Sequence, residues 1–70
     1  MSEVFCSISC NGEDKKVAAQ NIEQLITELN LGEKKVAVEL NQEIIPRASY
    51  STTSLSDGDS VEIVHFVGGG

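Results

Sequence analysis

Two cysteines, Cys6 and Cys10, carry the only thiols of this 70-residue chain, and thiols can bind metals, form disulfides or act as nucleophiles. They lie in an alternating apolar segment that predicts a strand, in which a four-residue step separates their Cα atoms by roughly 13 Å. That separation is too long for a disulfide. A zinc site needs more ligands than two thiols and the single histidine, His65, supply. We therefore interpret both cysteines as buried and unreactive.

Two other segments contain residue types found at metal and catalytic sites. Asp57-Gly58-Asp59 resembles the start of a calcium-binding loop, but Gly68 stands where such a loop needs a bidentate glutamate, so we predict a tight turn. His65 has no partner in a recognisable catalytic motif, which favours an ordinary strand residue over a general base. We assign no catalytic residues and no metal ligands, and we expect a protein that is not an enzyme.

The sequence ends in Gly68-Gly69-Gly70, which offers no side chain to a core. Glycine loses more conformational freedom on ordering than any other residue, so such a segment contributes little to stability. One interpretation is a flexible linker remnant. The other is a tail in which Gly68 and Gly69 thread a narrow channel and deliver the carboxylate of Gly70 into the active site of another protein.

The segment before the glycines favours the second interpretation. It predicts a strand from Val61 to Val67 with large apolar residues on both faces. If Val61 and Ile63 face the core, Val64 and Phe66 are exposed, and an apolar patch beside a tail is a candidate docking surface. The alternative is that the curled sheet covers both faces of the strand.

The charge balance points to the class of partner. Five Lys plus Arg against eleven Asp plus Glu give a net charge of −6, which disfavours nucleic acids and anionic membranes and favours larger, basic proteins. The first residues do not resemble a secretory signal, and no apolar run approaches the length of a membrane span. We therefore expect a cytoplasmic protein.

The first half of the chain predicts a hairpin followed by a helix. Alternation from Val4 to Cys10 predicts a strand, Asn11-Gly12 a tight turn, and Glu13 to Ala18 a returning strand. A helix of about ten residues then begins at Asn21, which caps it with Gln24 at the third position. Gly32 is expected to supply the left-handed residue at its end. The apolar stripe of this helix consists of Ile22, Leu25, Ile26 and Leu29.

The second half predicts strands and turns. A strand is expected from Lys35 to Leu40, a turn at residues 41–43 and a short strand at Ile44-Ile45, which Pro46 ends. One helical turn is expected around Ala48 to Tyr50, before the turn at residues 57–59 and the final strand.

This order, β–β–α–β–β–β, predicts an α+β domain in which a mixed sheet packs on one main helix. The β-grasp (ubiquitin-like) roll satisfies it, with residues 1–67 as one domain and residues 68–70 as a flexible glycine tail. The helix stripe should pack on the apolar positions of the strands, which are Val4, Ile8, Val36, Val38, Leu40, Val61 and Ile63.

With these segments in view, the sequence resembles the ThiS family, the sulfur carrier proteins of thiamine (thiazole) biosynthesis. The resemblance runs from Asn11-Gly12 to the end of the chain. It is sharpest in the segment from Asn41 to Arg47 and in the terminal segment from Asp57 to Gly70. Tyr50 stands where the family usually has an aromatic residue.

The resemblance implies a protein cosubstrate that binds no cofactor itself. A ThiF-like enzyme would adenylate the carboxylate of Gly70 with ATP, and sulfur from a cysteine desulfurase would convert it to a thiocarboxylate that thiazole synthase uses. Val64 and Phe66 would dock on these partners. Three alternatives stay open: a carrier of another pathway, such as the small subunit of molybdopterin synthase, a ubiquitin-like modifier, and a ubiquitin-like interaction domain.

Overall fold

The computed structural model describes residues 5–32 and 35–66, which form a five-stranded mixed sheet with one α-helix on one of its faces. The strand order is β2-β1-β5-β3-β4, with β5 parallel to β1 and antiparallel to β3. This is the predicted β-grasp architecture, so the fold prediction is confirmed. The elements along the chain are β1 (Cys6–Cys10), β2 (Glu13–Val17), α1 (Ile22–Glu28), β3 (Val36–Leu40), β4 (Glu43–Ile45), a 3₁₀-helix (Arg47–Thr52) and β5 (Ser60–His65).

The predicted boundaries differ from these by one or two residues. Phe5 was predicted to lie in β1 but precedes it, and β2 ends at Val17 rather than at Ala18. The 3₁₀-helix is longer than the single helical turn that was predicted. The last strand ends at His65 rather than Val67, and Val67 itself lies outside the described residues. A sequence pattern predicts the ends of strands least precisely, because the apolar alternation continues past the last backbone hydrogen bond of the strand.

Both hairpins close through two-residue turns in which each central residue has a positive φ. Asn11 and Gly12 have φ values of 53° and 84°, and Asn41 and Gln42 have values of 52° and 70°. Two positive φ angles in a two-residue loop define the type I′ turn, whose twist matches that of the paired strands. The turn predicted at Asn11-Gly12 is confirmed, whereas the second turn is one residue shorter than predicted because Glu43 already belongs to β4.

Gln42 holds a left-handed conformation that is costly for a residue with a Cβ atom. We expect Gln42→Gly to raise the free energy of unfolding by about 0.5–1 kcal/mol, as measured by denaturant unfolding. Gly12→Gln is the matched control at the same position of the other turn. No atom lies within 4 Å of a Cβ added there, so only backbone strain should lower its stability. Equal stability of Gln42→Gly and the parent would contradict a strained turn.

The start of α1 follows the predicted cap. Asn21 is the N-cap, and its Oδ1 accepts a hydrogen bond of 2.8 Å from the backbone N–H of Gln24. Gln24 returns the bond through Oε1, which accepts from the N–H of Gln20 at 2.9 Å. The predicted reciprocal cap thus forms, with its second bond one residue before the N-cap.

The end of α1 does not follow the prediction. Gly32 is not the left-handed residue; Asn30 adopts that conformation, with a φ of 60°. The N–H of Asn30 donates to the carbonyl of Thr27, and the N–H of Leu31 to that of Ile26 at 2.9 Å, which is a Schellman motif. Asparagine tolerates positive φ better than other residues with a side chain, so the helix ends after seven residues rather than about ten.

The core lies between α1 and the inner face of the sheet. Leu25 and Ile22 of the helix and Val38 and Val61 of the central strands are almost fully buried. The predicted residues Leu29, Val36 and Leu40 are only partly buried and pack against this core, while Val4 lies outside the described residues. Within residues 5–32 and 35–66, the buried apolar residues are Ile8, Cys10, Val17, Ala19, Ile22, Leu25, Ile26, Val38, Tyr50, Val61 and Ile63.

Candidate docking site

β5 presents apolar side chains to both sides of the sheet. Val61 and Ile63 are buried against α1, whereas Val64 is 58% exposed and Phe66 64% exposed. The predicted exposure of Val64 and Phe66 is therefore confirmed, and the alternative that the sheet covers both faces is wrong at these positions. Their role in docking stays a prediction.

Neighbouring strands extend this exposed apolar surface. Ala37 of β3 lies directly opposite Val64, and Phe66 stays attached to the same sheet because its N–H donates to the carbonyl of Lys35 at 3.0 Å. Ile44 of β4 lies on the same face and is 73% exposed. We call Ala37, Ile44, Val64 and Phe66 the outer-face patch. An exposed group of large apolar side chains is a candidate interaction site.

The sequence reasoning missed Ile44. Ile44 and Ile45 are neighbours in one strand, so their side chains must point to opposite faces of the sheet. Ile45 packs against the core, which leaves Ile44 on the outer face. The adjacent pair of isoleucines was the signal, because one member of such a pair on a sheet with a single helix layer must be exposed.

Two acidic residues accompany the patch. Glu39 of β3 and Glu62 of β5 are directly opposed, and Glu39 is also opposite Ile44. Like charges in opposed positions destabilise a sheet. Within residues 5–32 and 35–66, the one salt bridge joins Lys15 to Glu13 at 3.9 Å. Neither Glu39 nor Glu62 has a salt-bridge partner among these residues. An apolar patch beside two unpaired carboxylates complements a partner surface with an apolar pocket and basic groups.

The cysteines have the character of structural residues. Cys10 is buried as predicted, whereas Cys6 is only half-buried. Burial raises the pKa of the Cys6 thiol, and the nearby carboxylates of Asp57 and Asp59 raise it further. Burial also raises the pKa of Cys10. Because the thiolate is the nucleophilic form, these shifts lower the reactivity of both residues.

The turn around Gly58, which has a φ of 88°, is built by the two aspartates predicted to form it. Asp57 accepts a hydrogen bond of 2.8 Å from the N–H of Ser7, and Asp59 accepts one of 2.8 Å from the N–H of Ser56. These bonds explain why the carboxylates are located here, and the predicted turn is confirmed. The third candidate, His65, is exposed at the end of β5.

Nothing in the described residues resembles a metal site or a membrane span. No group of three or more His, Cys, Asp or Glu side chains that could hold a metal ion occurs in them. None of their helices is long and apolar enough to cross a membrane. The glycines Gly68, Gly69 and Gly70 lie outside the described residues, so their predicted roles remain predictions.

Comparisons with known proteins agree on one family. The ThiS family model matches residues 8–70. The sulfur carrier protein ThiS of Bacillus subtilis is 43% identical over 65 residues, which cover 90% of this chain and 98% of that protein. A thiazole synthase of Paramagnetospirillum magneticum is 48% identical over 61 residues, which cover 86% of this chain. The chain spans only about a fifth of the length of the thiazole synthases that it matches.

A solved structure is also similar. The crystal structure of the thiamine biosynthesis protein (ThiS) from Geobacter metallireducens superimposes with a TM-score of 0.77 at 34% sequence identity. The superposition covers 91% of this chain and 99% of that one. The similarity therefore extends over the whole fold rather than a single motif.

Proposed function

Because the chain belongs to the ThiS family, we propose that it is a sulfur carrier for thiazole formation in thiamine biosynthesis, acting in the cytoplasm as a cosubstrate rather than as an enzyme. The observation that carries the proposal is the family match, which continues through Gly70. The group that carries sulfur is the carboxylate of Gly70, and Gly68 and Gly69 form the tail that enters the partner's active site.

The chemistry takes place in partner enzymes. A ThiF-like enzyme directs a carboxylate oxygen of Gly70 onto the α-phosphate of ATP, so that an acyl adenylate forms and pyrophosphate leaves. A persulfide supplied through a cysteine desulfurase relay then attacks the acyl carbon through its terminal sulfur and displaces AMP, which forms an acyl disulfide. A second thiol attacks the other sulfur of that bond, so that the thiocarboxylate leaves and a disulfide remains on the relay. Adenylation is needed because a carboxylate oxygen is a poor leaving group. The resulting thiocarboxylate is the sulfur donor for thiazole synthase.

The body of the protein serves recognition. The outer-face patch lies at the end of β5, directly before the residues that lead to Gly70. A partner that holds Val64, Phe66 and Ile44 therefore binds the chain close to the reacting group. The similarity to one segment of thiazole synthases supports thiazole synthase as a partner, since those chains contain a segment like this one.

The test is an intact-mass measurement of the protein purified from its native host. We expect a fraction in which one sulfur replaces one oxygen, with fragmentation placing the change at Gly70. Loss of that fraction in a host without the thiazole-specific adenylating enzyme would assign the pathway. A thiocarboxylate that persists in such a host would indicate a carrier of another pathway, and adducts on lysines of other proteins would indicate a modifier.

Phe66→Ala tests the docking role of the outer-face patch. We expect weaker binding to the adenylating enzyme, by about 2 kcal/mol, because aromatic anchors contribute strongly to interface energy. Isothermal titration calorimetry measures the change. Stability should change little, because Phe66 is mostly exposed. Phe5→Ala is the matched control, since Phe5 is also an exposed aromatic residue but lies outside the patch. Equal affinities of Phe66→Ala and the parent would refute the assignment.

A further inference from the structure

We propose that Asn11 is a positioning residue that fixes the strand leading to the reactive tail. The proposal rests on the proposed function, because it concerns how the terminal carboxylate is presented to the adenylating enzyme. It adds a residue of the first hairpin turn to a site otherwise formed by β3, β4 and β5. Asn11 is 52 positions from Ile63, the residue of β5 to which its side chain bonds.

The backbone of β1 supports only the first half of β5. The two strands pair at Ser9 with Ser60 and at Cys10 with Val61, and then β1 turns back at Asn11. The last backbone hydrogen bond from this segment to β5 runs from the N–H of Asn11 to the carbonyl of Val61, at 2.9 Å. Beyond that point no strand of the described residues lies beside β5 on this side.

The side-chain amide of Asn11 continues the ladder where the backbone stops. Its Oδ1 accepts from the N–H of Ile63 at 2.8 Å, and its Nδ2 donates to the carbonyl of Ile63 at 3.1 Å. The amide therefore makes the two hydrogen bonds that a neighbouring strand would make. Both are partly buried, which strengthens them relative to bonds in water.

The sheet register explains why these two bonds are important. The N–H of Phe66 donates to the carbonyl of Lys35, the residue before β3, so every second residue back along β5 also directs its backbone polar groups toward β3. Val61, Ile63 and His65 direct theirs to the opposite side. On that side Asn11 holds Ile63, and no described strand lies beside His65. Among the described residues, the amide is thus the last attachment on this side of β5.

A partner that binds the outer-face patch must also receive Gly70 in its active site. The segment of β5 after Ile63 joins these two points, so its direction sets where the tail begins. Errors in the placement of reacting groups of about 1 Å reduce rates strongly. Without the amide, β3 alone would hold the last residues of β5. The patch would still bind, but the carboxylate would reach the reactive geometry less often.

Asn41 provides a control within the same molecule. It occupies the same position of the second type I′ turn, and its φ of 52° is close to the 53° of Asn11. Its Oδ1 accepts from the N–H of Ser60 at 2.9 Å, so it also ties a hairpin turn to β5. The difference is the place of attachment, because Asn41 holds the start of the strand and Asn11 holds its second half.

The experiment compares Asn11→Gly with Asn41→Gly, because glycine keeps the positive φ of both turns and removes only the amide. Unfolding free energy, amide hydrogen exchange, and kcat and KM for ATP–pyrophosphate exchange with the adenylating enzyme are measured for each. We expect the protection of the Ile63 N–H to fall only in Asn11→Gly. Its kcat should fall by about tenfold with little change in KM, whereas Asn41→Gly should keep a kcat close to that of the parent.

A second variant, Asn11→Asp, keeps the turn and the acceptor for the Ile63 N–H but replaces the donor with a carboxylate oxygen. Its kcat should also fall, which keeps the proposal testable if Asn11→Gly folds poorly. Equal losses of kcat in the Asn11 and Asn41 variants, or a kcat unchanged when Ile63 loses protection, would overturn the positioning role alone. If the parent chain supports no exchange, the proposed function fails and this role fails with it.

Discussion

Deletion of Gly70 is expected to abolish ATP–pyrophosphate exchange with the adenylating enzyme while leaving the free energy of unfolding almost unchanged. The glycines carry no side chain, so any contribution to chemistry comes from the backbone and the terminal carboxylate. In the part of the chain that the structure describes, the buried core extends from Ile8 to Ile63, and the deletion removes none of these residues. Exchange assays and denaturant unfolding of the same preparation measure the two effects.

Gly69→Ala provides a graded companion to this deletion. A methyl group adds bulk and restricts the backbone where the tail is proposed to enter a narrow channel, so exchange should slow without any loss of folding. Ordering glycines is costly, and the partner must offset that cost with close main-chain contacts. A chain without Gly70 that still supports adenylation and sulfur transfer at the parental rate would refute the carrier function.

Leu25→Ala is expected to lower the free energy of unfolding by about 2–5 kcal/mol, which is a large part of the stability of a small domain. The side chain of Leu25 is 0% exposed and lies between α1 and the sheet, so its removal leaves a cavity. Chemical denaturation followed by circular dichroism measures the change.

Leu29→Ala is the matched control for this prediction. It makes the same leucine-to-alanine change at the C-cap of α1. Leu29 is only partly buried and packs at the edge of the core. Its cost should therefore be clearly smaller. Equal costs for the two variants, or no shift of the Leu25→Ala transition, would mean that the helix buries a different face.

Local patterns in the sequence were sufficient for the type of each main element. Asn11-Gly12 permits positive φ at both turn positions, and Asn21 provides a side-chain oxygen at the correct distance for a cap. Apolar spacing identified the buried face of α1 through Ile22, Leu25 and Ile26. These properties depend on residues within one turn or one strand, so a single sequence specifies them.

The end of α1 and the burial of Tyr50 could not be predicted from local patterns in the sequence. Two residues were suited to end α1, and Asn30 rather than Gly32 adopted the left-handed conformation. The earlier ending lets the carbonyls of Ile26 and Thr27 find partners in a Schellman motif. The burial of Tyr50 depends on the packing of the 3₁₀-helix against α1. No apolar periodicity in the sequence predicts this packing.

The sequence by itself determined the elements, the apolar faces and the resemblance of the terminal segment to a family of carriers. Only the tertiary structure decided which strands are neighbours, and with that the composition of the outer-face patch. Ile44 joins Val64 through the shared partner strand β3, and Asn11 reaches Ile63 only because β1 lies beside β5. The physical reason is that hydrogen bonds between strands link residues far apart in the chain, and their register follows from packing the whole sheet on one helix.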